Sequence, residues 1–219
     1  MLINISFSLQ YEIDNYLNSL WKFKWEKHGR QNYQEKLLKP FPVWFKNKLK
    51  QAKTKSEAGK VIGGFIQENI LTKAKKYKDL SANLEKTWKL KQIETLSKLE
   101  SVYGNPVPFN KLTVYLTSIP ICPYSFKEGW IMVFANAPID EQISTIRHEL
   151  NHFMFYYYFP QMKKSLGINK YESLKEALTV FTNPEEVGYP AQRKLRTWLK
   201  SQKGTVGEIL KNQEFLNLL

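Results

Sequence analysis

Only one cysteine, three histidines and three aspartates occur among the 219 residues. With Cys122 alone, no disulfide can form within the chain, and a zinc site built from cysteines is excluded. This usage fits a reducing compartment, so a cytoplasmic location is expected. No apolar run approaches the roughly 18 residues of a membrane span. Residues 1–9 lack the basic stretch of a secretory signal, so no leader is expected. Arginine is scarce too, at 4 against 29 lysines. The net charge is +13, and residues 21–100 carry most of it, with 20 Lys/Arg against 8 Asp/Glu. Such an excess can be an electrostatic footprint for nucleic acid. Specific phosphate and base readout favours arginine, however. The lysines are therefore read as solvated helix faces, with nucleic acid kept as an alternative partner.

The residues present describe a globular chain, 42% hydrophobic and 14% aromatic. A short period-2 strand is expected at residues 3–9. Helical spacing follows at 11–35, 44–53, 58–77 and 80–103, with Gly63-Gly64 weakening the third helix. Gly104-Asn105-Pro106 ends the fourth. The pattern then changes. Residues 112–119 and 130–135 are rich in β-formers and read as strands. A helix is expected at 141–158, with Asp140 as its N-cap and Pro160 as its stop. Further helices are expected at 170–181, 191–201 and 206–218. The boundary drawn from this change separates a basic, mostly helical region, 1–111, from a second region, 112–219.

Two of the three histidines fall in the stretch at 145–153, which reads Thr-Ile-Arg-His-Glu-Leu-Asn-His-Phe. Imidazoles four residues apart on a helix lie on one face, so His148 and His152 can reach one metal ion. Glu149, one residue after the first, can take the proton of a water that such an ion activates. Ile143, Ile146, Leu150 and Phe153 form an apolar face that would bury this helix. Charged and polar groups on a buried helix call for a partner such as a metal. A catalytic zinc wants a third protein ligand. Cys122 and His28 lie upstream in unsuitable contexts, and no aspartate lies downstream. Glu172 and Glu176 are the carboxylates inside a helical pattern, four apart on one face. One can ligate while the other steadies a ligating imidazole.

His148-Glu-Leu-Asn-His152, followed by Glu176-Ala177-Leu178, resembles the gluzincin branch of zinc metallopeptidases. Glu172-Ser173-Leu174 fits the second motif almost as well. Metzincins would need Gly and His where the chain has Phe155 and Tyr158, so that branch is excluded. Position 180 is Val, where gluzincins often carry an Asp. The resemblance spans residues 112–190 and implies an α+β zincin-like fold. In that fold a small mixed or antiparallel sheet precedes the His-Glu-x-x-His helix and a second, Glu-bearing helix. It implies one Zn2+ per chain on His148, His152 and Glu176, with Glu172 as second choice. It implies Glu149 as general base and a peptide or protein as substrate. It also implies an edge strand beside the site, expected at 130–135 with Trp130 against the substrate, while the residues themselves read equally well as a buried sheet strand. A tyrosine stabilising the oxyanion is implied as well, with Tyr189 or Tyr171 as candidates. Arg193 and Arg196, three apart on the next helix, are candidates for binding a substrate carboxylate. The function expected is therefore a zinc metallopeptidase. The alternatives are a nucleic-acid-binding protein with a vestigial site and a zinc amidohydrolase acting on a non-protein substrate.

Overall fold

This computed structural model describes residues 1–21, 33–70, 72 and 74–219. The chain is α+β. It opens with β1 (Leu2–Ser6) and α1 (Leu9–Leu20), then α2 (Tyr33–Leu38), α3 (Val43–Gln51), α4 (Lys55–Asn69) and the long α5 (Ala74–Tyr103). Three strands follow: β2 (Lys111–Thr117), β3 (Tyr124–Ser125) and β4 (Trp130–Phe134). Then come α6 (Ile139–Tyr158), α7 (Met162–Leu166), α8 (Ile168–Leu178), α9 (Arg193–Ser201) and α10 (Val206–Ile209). The sheet order is β1-β2-β4-β3. β1 and β4 run parallel to β2, and β3 is antiparallel to β4. Parallel neighbours need long crossovers, which the helices α1 to α5 supply between β1 and β2.

Local chemistry accounts for these boundaries. α4 starts at Lys55, three residues before the expected start, because Thr54 and Glu57 form a capping box. The Glu57 N–H donates to Thr54 Oγ1 at 3.2 Å, and the Thr54 N–H to Glu57 Oε2 at 3.3 Å. Gly63-Gly64 does not break this helix. Gly63 lies against α1, where an added Cβ would meet Ile13 Cδ1 at 3.6 Å, an ordinary contact distance. α4 ends at Asn69 and α5 is already helical from Ala74, so the break expected at 78–79 is not there. The helix expected at 11–35 is α1 and α2 in its described parts, and residues 22–32 lie outside the described residues. β1 ends at Ser6, and 206–218 is divided into α10 and a 3-10 turn, Gln213–Leu218. Asp140 is not the N-cap of α6. Pro138 holds that place, and Asp140 lies in the first turn with Glu141, where both complement the helix dipole.

The inward faces of the sheet and helices share one hydrophobic core. Val114, Ile131, Val133, Ile146, Leu150 and Phe155 are completely or almost completely buried in it. α6 packs on β4, α5 and α8. The expectation that residues 130–135 form a free edge is corrected: β4 is internal, and Ile131, Met132 and Val133 on it are buried. The Met132 N–H donates to the Pro123 carbonyl at 2.8 Å, so the turn bearing β3 covers that side of β4.

One buried carboxylate lies where the end of β2 meets α1. Glu12 is fully buried. Its Oε1 accepts from the Ser118 N–H at 2.8 Å and from the Ser118 hydroxyl. Burial raises its carboxyl above the ordinary value, although the Ser118 bonds pull it down. The unfolded chain ionises at the ordinary value while the folded chain holds the proton to higher pH. Folding stability from this group is therefore present at low pH and lost as pH rises above the ordinary carboxylate range. Glu12→Gln, which cannot ionise, should gain stability relative to the unsubstituted protein as pH rises through and above the ordinary carboxylate range. Thermal melts of both proteins across that range measure it, and a constant difference would refute the buried, proton-retaining carboxyl.

Candidate metal centre

α6 sorts its side chains by face. Ile143, Ile146, Leu150, Phe153 and Met154 are buried, while Glu141, Thr145, His148 and Glu149 border a cleft of about 330 Å3. The two imidazoles, one turn apart, lie with ring centroids 4.3 Å apart. α8 crosses beside them, with Leu174, Ala177 and Leu178 fully buried. The small Ala177 suits a close approach of the two helices, and Glu176 is brought to the histidines. Glu176 Oε2 lies 3.3 Å from His148 Nε2, and Oε1 lies 3.3 Å from His152 Nε2. One ligand atom from each of His148, His152 and Glu176 can be chosen so that all lie within 4.8 Å of one another.

The 3.3 Å spacing tests the fit to a metal. Charge-assisted N–H···O bonds are usually about 2.7–2.9 Å. Two ligand atoms each about 2.0–2.1 Å from a tetrahedral ion lie roughly 3.3–3.4 Å apart. The donor set, two imidazoles and one carboxylate, is that of a catalytic rather than a closed structural site.

Of the two candidate carboxylates, Glu176 meets the histidines and Glu172 does not. Glu172 Oε2 instead accepts from the Tyr156 hydroxyl and pairs with Lys175, both at 2.9 Å. Three participants were missed in the sequence. Glu186 Oε2 lies 3.1 Å from His148 Nδ1, a position that orients the imidazole. The acidic pair after Asn183-Pro184 was its only trace in the sequence. Lys175, with its side chain 4% exposed, places Nζ 3.1 Å from Glu176 Oε1 and donates to Tyr124 Oη at 2.6 Å. Tyr124 in turn faces the His152 ring at 5.7 Å between centroids. A lysine in a helix ordinarily reads as surface, so the pattern carried no signal for these two.

The substrate candidates fare differently. Arg196 is buried, not open to a ligand. Its Nη1 donates to Thr179 Oγ1 at 2.7 Å and to the Glu176 carbonyl at 3.2 Å, and its Nη2 donates to the Glu186 carbonyl at 2.7 Å. It thus fastens the segment carrying Glu186. Gly188, at φ +67°, passes so close that an added Cβ would stand 2.6 Å from Arg196 Cδ. Arg193 is exposed. Tyr189 is 48% exposed at the start of the 3-10 turn Pro190–Gln192. Tyr171 is buried against Phe155 and Tyr156. Trp130 packs on Tyr11 and Tyr115 and donates to Glu128 Oε2. Among the described residues, no hydrogen bond, ion pair or ring contact joins Arg193, Arg196, Tyr171 or Trp130 to either histidine.

Burial dominates the proton affinities. It pushes His152 down to about 3, outweighing the bond to Glu176, so this imidazole is neutral, as a metal ligand must be. For His148 burial pulls the same way, but Glu176 and Glu186 together hold it up to about 10. Burial pushes Glu149 up to about 8, against the pull of His148 and Lys175. Glu176 moves the opposite way: burial would raise it, but both imidazoles and Lys175 hold it well below the usual carboxylate range. Burial also lifts the Cys122 thiol to about 12, which keeps it protonated. Glu149 Oε2 and His152 Nδ1 are buried without a hydrogen-bond partner among the described residues. A larger hollow of about 750 Å3 lies beside α1, α2 and α3, bordered by Leu20, Leu49, Lys46 and Lys50. It contains none of this chemistry. No protein-family profile, curated protein or solved structure matches the chain.

Lys175→Met would leave Glu176 without its cation. A fully buried pair broken in this way costs roughly 3–5 kcal/mol. Glu172 and Glu176 are 37% and 22% exposed, so a loss of about 2 kcal/mol is expected in metal-free protein. A divalent ion neutralises the same carboxylate. The rise in Tm on adding metal should therefore be larger in the variant than in the unsubstituted protein. Equal rises, measured by denaturation with chelator and with metal, would refute this charge role.

Proposed function

We propose that this chain is a zinc-dependent hydrolase of peptide bonds, with a zincin-like fold of the gluzincin type. The observation that carries this reading is the set of ligand atoms from His148, His152 and Glu176 within 4.8 Å, with Glu149 bordering the adjoining cleft. His148 Nε2, His152 Nε2 and one Glu176 oxygen would hold the ion. When bound, zinc supplies Lewis acidity that polarises the scissile carbonyl and acidifies the attacking water.

The chain's own groups do the rest. Glu149 takes a proton from the attacking water and returns it to the leaving amine. Its buried setting favours this exchange, since a carboxylate that binds protons tightly is the stronger base. Glu186 accepts from His148 Nδ1–H, which turns the Nε2 lone pair toward His152 and Glu176. Arg196 holds Glu186 in place through that residue's own carbonyl. Lys175 keeps Glu176 ionised and aimed. The outer strand on this side of the sheet is β3, so an extended substrate would align along Tyr124–Ser125 rather than along β4.

The test is metal content beside hydrolysis. Mass spectrometry should find about one zinc per chain. Zinc should be lost in His148→Ala and in Glu176→Ala and retained in Glu172→Ala. Glu149→Gln should keep the metal and lose about 100-fold or more in hydrolysis of a peptide library, the usual contribution of a general base. Full activity in Glu149→Gln, or no bound metal after zinc is supplied, would overturn the reading.

A further inference from the structure

We propose that the cleft beside the candidate metal centre selects substrates with a cationic side chain, lysine or arginine, and that Glu141 recognises it. The inference rests on the hydrolase reading above. The chain carries +13 overall, yet the charged residues bordering this cleft, apart from His148, are all carboxylates. Glu141, Ser144 and Thr145 form the wall on α6, and Asn183 and Glu186 form the wall opposite.

Two neutral members of these walls, Asn183 and Thr145, are already engaged. Asn183 Nδ2 donates to the Ser144 carbonyl at 2.9 Å, and Thr145 Oγ1 to the Glu141 carbonyl at 2.9 Å. Both hold the wall together. The cations of the site lie behind it: Lys175 is paired with Glu172 and Glu176, and Arg196 donates to Thr179 and to backbone carbonyls and lies 3.9 Å from Glu186 Oε2, so Glu186 is already paired and Glu141 is the wall carboxylate left to a ligand. Glu141 is exposed. Among the described residues, no lysine, arginine or hydrophobic residue lines the space. A second observation points to an occupant. Glu149 is 6% exposed and borders the same cleft, and its Oε2 has no hydrogen-bond partner among the described residues.

Distances suit a long side chain. Glu141 lies seven residues before His148, about 10 Å along the helix axis at 1.5 Å per residue. A lysine side chain spans roughly 6 Å from its Cα by ordinary bond lengths, and a glutamate roughly 4 Å. A substrate residue beside the scissile bond, near Glu149, can thus bring its ammonium to the Glu141 carboxylate. An apolar side chain would strip water from the Glu141 carboxylate without replacing its hydrogen bonds. An acidic one would meet charges of its own sign.

The test uses the zinc-supplied full chain and three sets of quenched fluorogenic peptides. The sets differ at a single position, lysine, norleucine or glutamate, placed in turn at each position flanking the cleavage point. At one position, kcat/KM for lysine should exceed that for norleucine by about threefold, the contribution of one exposed carboxylate, Glu141. Glu141→Gln should bring this ratio close to one, and Glu141→Lys should bring the glutamate peptide above the lysine peptide. Salt near 1 M, where the Debye length is about 3 Å, should shrink the ratio in the unsubstituted protein. Cleavage that depends on zinc and on Glu149 but shows no preference for lysine overturns this inference alone. A lysine preference that Glu141→Gln and Glu141→Lys leave unchanged also overturns it. Absence of any zinc- and Glu149-dependent cleavage overturns the hydrolase reading and this inference with it.

Discussion

Glu176 stands between two imidazoles, 3.3 Å from each, and most of the site follows from what that position demands. A carboxylate taken out of water needs compensation. His148 on one side and Lys175 on the other supply it. Lys175 is itself held by Glu172 and by the Tyr124 hydroxyl, so the compensation extends from α8 to β3. The approach of α8 to α6 is in turn set by apolar contact, because Leu174, Ala177 and Leu178 enter the core that Ile146 and Leu150 share. Hydrophobic packing thus places the two helices, and the charges settle on what the packing leaves exposed.

Two neighbouring carboxylates on these helices are driven apart in proton affinity. Glu149, walled by α6, retains its proton more tightly than a free glutamate, while Glu176, among cations, releases it more readily. This separation gives each a distinct chemical part, one to exchange protons and the other to present negative charge. The same burial separates the imidazoles. His152 has no anionic partner at Nδ1 and stays neutral, whereas His148 has Glu186 there.

Glu186 depends on a segment without regular structure. Asn183 and Glu186 are held by Arg196, whose guanidinium takes up carbonyls that a loop would otherwise leave unpaired. Gly188 crosses this guanidinium at a distance no side chain would fit. The cation read as a substrate clamp is therefore structural, and the acidic wall of the cleft is fastened from behind. The resulting cleft opposes the sign of the chain as a whole.

Most of the helices, the strands β1, β2 and β4 and the pair His148 and His152 were legible in the residues, because periodicity and i, i+4 spacing act within one element. The apolar face of α6 also told which way those histidines would point. Thr54-x-x-Glu57 carried the start of α4 as well, though the spacing of apolar residues alone placed it later. The internal position of β4, the choice of Glu176 over Glu172, the arrival of Glu186 and the burial of Lys175 and Arg196 were decided by tertiary structure. Each depends on the distance between elements far apart in the chain. One helix turn separates Glu172 from Glu176, and only the contact of α8 with α6 and β3 determines which of them meets an imidazole and which meets a tyrosine hydroxyl. Side-chain type and spacing settle what a segment can offer, and packing across the core settles what it touches.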